Sequence, residues 1–162
     1  MPVTLIVNNI PYEYPVPGDS PGWGQPATDW ATEVTAVLAE LLGSTDIVQT
    51  PFTIANNISS PTNIVGLSFN TGLVRAAVID YSIYRTSTSN PSGKTEAGVI
   101  SVVYDNLAAS GSKWGLVLYG GNGLAGVNFS ITDSGQLQYT STDIGASGYS
   151  GIMHFRAKTL SQ

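Results

Sequence analysis

The sequence predicts a mainly β protein: an antiparallel, jelly-roll-like β-sandwich preceded by an extended Pro-rich arm and one amphipathic helix. Two observations predict this fold class. Short runs of alternating apolar residues, separated by polar turn residues, fill the chain after residue 43, as is typical of sandwiches. Before them, a single apolar stripe of helical period follows a segment (residues 10–30) with five prolines and two tryptophans. We therefore divide the chain into an arm (1–25), a helix (26–43) and a sandwich domain (44–162).

The arm begins with a short predicted strand at 3–7 and continues into a proline-rich segment. Prolines at 11, 15, 17 and 21 each restrict φ and remove a hydrogen-bond donor. We therefore expect residues 12–17 to be extended, near polyproline II, without a ladder of backbone hydrogen bonds. The arm would then gain its order by laying its Tyr and Trp rings on a surface.

The predicted helix covers residues 26–42. Its apolar stripe has the i, i+4, i+7, i+8 spacing of one helix face. Pro26 suits the first turn, and Gly43 provides the left-handed residue that ends a helix. Such a short helix must bury its stripe against its own β-domain or against symmetry mates in an oligomer. The residues assigned to this packing or oligomer stripe are Trp30, Val34, Val37, Leu38 and Leu41.

Eight strands are predicted after the helix. Alternation is clearest in the apolar residues from Ala77 to Ile83, and Asp133-Ser134-Gly135 is typical of a tight hairpin. Turns are also predicted at 90–93 and 120–123. The predicted strands are 47–56, 64–69, 73–86, 95–104, 113–119, 126–132, 135–142 and 149–158.

Charge is sparse and unevenly distributed. Charged residues make up 10% of the chain, against roughly 25% in ordinary globular proteins. Residues 1–74 contain six acids and no Lys or Arg, whereas residues 75–162 contain six cations and five acids. This asymmetry excludes nucleic acid as the partner of the N-terminal half, because phosphates would be repelled. No run approaches the eighteen or so apolar residues of a membrane span, so we expect no membrane association.

The residues that usually carry catalysis are scarce. The chain has no cysteine and one histidine, His154, which alternates out of phase with its apolar neighbours and is expected on the outer face of a strand. Among the acids, Asp105, Asp133 and Asp143 fall in predicted turns, and Asp80 falls on the solvent face of a strand. We predict no enzymatic activity, no metal site and no cofactor.

Several phrases of the sequence resemble virion structural proteins of tailed bacteriophages. They are PGWG with TDWATEVTAVLAELLG, then FTIANN, GLSF, VRAAVIDYSIYRTS, FSITDSGQLQYTST and GIMHFRAKTL. The resemblance extends from about residue 12 to residue 160. It implies a non-enzymatic and trimeric component of the particle, with an N-terminal attachment segment and an exposed C-terminal β-domain. The implied location is the virion, after synthesis in the host bacterial cytoplasm.

Two functions follow from this resemblance. The first is a capsid decoration or head-fibre protein whose arm binds the major capsid protein or another virion protein through Tyr12, Tyr14, Trp23 and Trp30. In the alternative for the arm, it wraps its own β-domain and covers a sheet edge. The second function is a tail-fibre or receptor-binding module for host attachment, whose β-domain binds a host-surface glycan. Exposed aromatic rings at Trp114, Tyr119 or Tyr149 would favour that function.

Overall fold

The computed structural model describes residues 3–7, 10–14, 24–42 and 45–161. Contacts between Cα atoms group the chain into two compact units, Met1–Ser44 and Thr45–Gln162.

The N-terminal unit contains a β-hairpin and a helix. Strands β1 (Val3–Val7) and β2 (Ile10–Tyr14) pair antiparallel. The expectation that residues 12–17 form no ladder is therefore wrong for residues 12–14. In a two-stranded sheet each strand has one unpaired edge, so a proline such as Pro11 is tolerated when its nitrogen faces that edge. Residues 15–23 lie outside the described part of the chain.

Helix α1 (Gly24–Leu42) confirms the predicted helix and begins two residues before Pro26. Side chains are described for only part of its predicted stripe. Trp30 and Val34 are half-buried, and Leu38 is exposed. The side chains of Val37 and Leu41 lie outside the described part of the structure.

The second unit consists of eight strands, which confirm the predicted series with shifted ends. Alternation of β-branched and aromatic residues with polar ones produces them, since one side of each strand is buried. The strands are β3 (Ile47–Thr53), β4 (Ile58–Ser68), β5 (Val74–Ser87), β6 (Asn90–Tyr104), β7 (Trp114–Tyr119), β8 (Val127–Ile131), β9 (Gln136–Ser141) and β10 (Ser150–Ser161).

These strands form two antiparallel sheets. The larger sheet has the order β3-β10-β5-β6-β7, and the smaller has the order β4-β9-β8. The chain therefore crosses between the sheets four times, while β5, β6 and β7 follow one another as a meander within the larger sheet. The predicted fold class, a mainly β protein with antiparallel sheets and one helix, is confirmed.

A single hydrophobic core includes residues from both sheets. The smaller sheet contributes Ile64, Leu137 and Tyr139, and the larger contributes Ile79 and Phe155, all at most 4% exposed. Complete burial of one such side chain is worth about 1.5–3 kcal/mol. This core holds the outer faces of the two sheets in place.

The turn predicted at residues 90–93 is wrong. The β5–β6 hairpin instead turns at residues 88 and 89, and Asn90 pairs with Ser87 inside the sheet. The next paired residues are Arg85 and Lys94, so three residues of β6 face one of β5. Pro91 and Gly93 therefore lie in a bulge of β6. Bulges and turns favour the same residue types, which is why the sequence suggested a turn here.

Candidate functional site

The candidate site is a shallow groove on the outer face of the larger sheet. Two adjoining depressions share Ser82 of β5 and His154 of β10. These two residues are opposite each other in the β5–β10 register. The groove therefore crosses β10 and β5, which are central strands of the larger sheet. The inward-facing side chains of these strands pack in the hydrophobic core.

One end of the groove contains charged groups. This depression has a volume of about 230 Å³, and its lining includes Gln49, Asp80 and Arg156 as well as Tyr81 and Phe155. Arg156 Nε donates to Asp80 Oδ2 at 2.8 Å across the β5–β10 pair. The two side chains are 66% and 49% exposed, so the ion pair adds little stability and both groups remain open to solvent.

The other end combines an aromatic ring with small polar groups. This depression has a volume of about 460 Å³, and its lining includes Tyr84, Thr95, Asn122 and Ile152. Tyr84 is 45% exposed, and Gly93 of the bulge lies so close to its ring that a Cβ at residue 93 would approach it to 2.6 Å. The bulge therefore positions one wall of the groove.

The predicted outward position of His154 agrees with the structure. Its neighbours in the chain, Met153 and Phe155, are buried in the core at 0% and 1% exposure, whereas His154 is half-buried on the other face. Asp80 is also on the outer face, as predicted. Glu96 borders the second depression, but it is paired with the buried Ile83 and is itself 5% exposed, so its carboxylate points to the opposite face of the sheet.

Every carboxylate of residues 45–161 already accepts a hydrogen bond. Glu96 accepts from the Tyr81 hydroxyl at 2.8 Å and from the Ala125 amide at 3.1 Å. Burial raises the pKa of Tyr81, and the bond to Glu96 adds to the shift. The other acids accept hydrogen bonds from backbone amides, from cations or from a side-chain amide. Asp46 binds Thr159 and Lys158 of β10, Asp80 binds Arg156, Asp105 binds Leu107, Asp133 binds Gly111 and Lys113, and Asp143 binds Gly145 and Asn56.

The three turn aspartates therefore have structural roles. Backbone amides of Gly111 and Lys113 lower the pKa of Asp133. The Gly145 amide and the Asn56 side chain lower the pKa of Asp143. Hydrogen bonds of this kind favour the charged carboxylate.

Sequence reasoning missed a buried arginine. Arg85 is 0% exposed, and its guanidinium donates to carbonyl oxygens of Ala125 (2.6 Å) and Thr142 (2.7 Å). It also donates to Asn56 Oδ1 and to the Tyr149 hydroxyl, each at 3.1 Å. The signal was present in the alternation of β5, because the buried positions 77, 79, 81 and 83 continue in phase to 85.

The three aromatic residues whose exposure would favour glycan binding are not equally exposed in the structure. Tyr119 is 58% exposed at the end of β7. Trp114 is 7% exposed and packs against Tyr104 with ring centroids 5.1 Å apart, so it does not provide the exposed ring that would favour glycan binding. Tyr149 is half-buried, and its hydroxyl donates to the Ile54 carbonyl oxygen at 2.8 Å. Among the three, Tyr119 alone keeps a largely open ring.

The predicted anchor residues fall mostly outside the described side chains. Tyr12 and Tyr14 lie in β2, opposite Leu5 and Val3, and their side chains lie outside the described part of the structure. Trp23 lies outside the described residues, and Trp30 is half-buried on α1.

The described residues contain neither a cluster of metal ligands nor a membrane-spanning helix. Within residues 3–7, 10–14, 24–42 and 45–161, no three His, Asp or Glu side chains are grouped to hold a metal ion. Over the same ranges, no helix combines the length and apolar character needed to cross a membrane.

Comparison of the sequence with protein-family models finds no match, and comparison with curated proteins finds no relative. Comparison with solved structures finds the tailspike protein of the Acinetobacter phage vB_ApiP_P1. The two are 14% identical with a TM-score of 0.38, over 69% of this chain and 22% of that chain. This chain therefore aligns with about a fifth of the length of that tailspike. At this identity and TM-score, the alignment assigns neither a family nor a function.

Proposed function

We propose that this chain is a non-enzymatic structural component of a bacteriophage virion, attached to the capsid by its N-terminal unit as a decoration or head-fibre protein. The observation that carries the proposal is the division of charge between the two units. Residues 1–44 contain five acids and no Lys or Arg, whereas residues 45–162 contain six acids and six cations. The whole net charge of −5 thus belongs to the unit assigned to attachment.

This division suits a two-part role. An acidic unit favours a basic groove on a partner, since complementary charge steers association and selects the partner. A neutral β unit with its own core suits display on the particle surface. The resemblance of the sequence to phage virion proteins supports the same assignment.

The hydrogen bonds of the carboxylates support the non-enzymatic part of the proposal. Hydrolysis of glycosides needs two carboxyl groups facing each other across a cleft of about 5–10 Å. In the β unit, Asp80 is paired with Arg156 on the outer face, and Glu96 is buried on the inner face. The remaining acids hold loops in place.

The test is the location of the protein on the particle. We would raise an antibody against the purified chain and label intact particles of the phage that encodes it with immunogold. Gold on the heads is the expected result. Gold on the tail or its fibres would overturn the capsid assignment and support the second candidate below, and unlabelled particles that lack the protein on a blot would overturn both.

The second candidate function is host attachment through glycan binding. The observation that favours it is the groove, where the exposed Tyr84 ring lies beside Ser82, Thr95 and Asn122. Aromatic rings present an apolar face that packs on sugar C–H groups, while hydroxyl and amide groups bond sugar hydroxyls. Binding of host lipopolysaccharide that Tyr84→Ala removes and Tyr119→Ala leaves unchanged would support this function. Equal binding by both variants would contradict the groove as its site.

A further inference from the structure

The larger sheet ends in an edge strand that lacks the usual protection against pairing. Edge strands are normally blunted by proline, charge, bulges or short length. At the other edges, β3 and β4 contain Pro51 and Pro61 and have register shifts against their partners, whereas β8, with five residues, has no charge or proline. β7 has the sequence WGLVLY, without charge or proline, and its register with β6 is continuous.

The backbone of β7 is arranged to accept another strand. Asp105 N donates to Lys113 O at 2.8 Å, and the β6–β7 register continues in step from this pair. Odd-numbered residues of β7 therefore bond β6, and Trp114, Leu116 and Leu118 direct their N–H and C=O groups to the free edge. In the described part of the chain, these edge groups have no backbone partner beyond β6.

The outer face beside this edge is apolar. Val117 and Tyr119 of β7 are 50% and 58% exposed. Val103 of β6, which lies beside the start of β7, is 50% exposed. Val103 is paired with Gly115, above which a Cβ would meet only the Val103 carbonyl oxygen, at 3.9 Å. The glycine leaves a notch in a surface whose other residues are apolar except for Ser101, which is paired with Val117.

We propose that the β7 edge binds β7 of a second copy of this chain, antiparallel, with the two-fold axis at Val117, so that the two larger sheets become continuous. In this register Val117 faces its own counterpart, and Tyr119 lies opposite the partner's Gly115. Each Tyr119 ring then fills the notch beside Val103, in the way that aromatic residues cover glycines in neighbouring strands. The two-fold symmetry forms each of these contacts twice.

A second copy fits this edge better than a charged partner does. The strand is uncharged, and the β unit has six acids and six cations, so the two β units bring no net charge to this interface. The inference concerns the β unit alone and does not depend on where the protein is located on a particle.

The test uses cysteine crosslinking in the full chain, which has no native cysteine. Directly opposed residues of a non-bonded antiparallel pair have Cα atoms about 4.5 Å apart, within the range of a disulfide. Val117→Cys is therefore expected to form a disulfide-linked dimer under mild oxidation. Val78→Cys is the matched control, since Val78 is 48% exposed on the same face but two strands from the edge.

We expect dimer formation by Val117→Cys to be at least about tenfold faster than by Val78→Cys, since only the former satisfies disulfide geometry. Equal rates would overturn the proposal. A second pair of variants tests association without crosslinking. Val117→Lys should raise the dimer dissociation constant at least about tenfold by placing like charges opposite each other at the axis, whereas Val78→Lys should change it less than about twofold. An unchanged constant in folded Val117→Lys would overturn the proposal.

Discussion

Arg85 is the residue whose environment is most unusual in this protein. A fully buried cation normally needs an ionic partner. This guanidinium donates to carbonyl, amide and hydroxyl oxygens of four separate segments, and the carboxylate of Asp143 interacts with its charge. It joins the loops around residues 56, 125, 142 and 149 to β5. Its function is structural: it organises one end of the sandwich.

We expect Arg85→Lys to lower the free energy of unfolding by at least about 2 kcal/mol, because the shorter ammonium leaves buried carbonyls unpaired. Urea unfolding followed by tryptophan fluorescence measures this change. Arg156→Lys is the matched control, since that side chain is 66% exposed and its loss should cost less than about 0.5 kcal/mol. Equal effects of the two substitutions would contradict the role assigned to Arg85.

Asp133 links stability to pH. Its folded pKa is lowered by the Gly111 and Lys113 amides, and its unfolded pKa is about 3.9. A lowered folded pKa contributes stability above the unfolded value, and this contribution is lost as pH falls through the folded value. We expect Asp133→Asn to melt below the wild type at pH 6 and the gap to narrow by pH 3. A gap that is constant across this range, measured by thermal unfolding, would contradict the linkage.

At the scale of elements, the bulge of β6 positions the groove. Gly93 has φ of +72°, and a Cβ there would contact the Tyr84 ring. Gly123 has φ of +68°, and a Cβ there would meet nothing within 4 Å. A substitution at Gly123 therefore introduces backbone strain alone, whereas a substitution at Gly93 introduces strain and a steric clash with the Tyr84 ring.

We expect Gly123→Ala to cost about 1–2 kcal/mol from left-handed strain alone. Gly93→Ala should cost more and should shift Tyr84, because the new methyl group crowds the ring. Thermal melts compare the two variants, and NMR signals of Tyr84 report its displacement. A smaller loss for Gly93→Ala than for Gly123→Ala would contradict the packing argument.

Helix α1 is the second element with a testable surface. The predicted homotrimer requires its apolar stripe, and Leu38 is 52% exposed. Leu38→Asp should therefore convert a trimer into monomers, because a charge buried at an apolar seam is costly. Light scattering in the Val117→Lys background measures the mass without a contribution from the β7 edge. An unchanged trimer mass would show that the seam does not include Leu38.

At the scale of the whole molecule, we expect no hydrolysis of host polysaccharide. Incubation with capsule or lipopolysaccharide should produce no new reducing ends, because Asp80 and Glu96 occupy opposite faces of the sheet and each already has a partner. Release of reducing ends that disappears in Asp80→Asn or Glu96→Gln would contradict the non-enzymatic proposal. Release that persists in both variants would indicate a contaminating enzyme.

The sequence by itself determined the fold class, the helix and the positions of the strands along this chain. These depend on local signals: the alternation of β5, the helical stripe of α1 and the turn at Asp133. The same alternation placed His154 and Asp80 on the outer face, because side-chain direction in a strand has a period of two.

Only the tertiary structure decided what depends on distant residues. Pro11 joins a ladder because β1 lies beside β2, and residues 90–93 form a bulge because β5 turns two residues earlier. Arg85 can be buried because segments far apart in the chain supply its acceptors. The groove and the unprotected β7 edge likewise depend on which strands become neighbours, and strand order is set by long-range packing that no local pattern records.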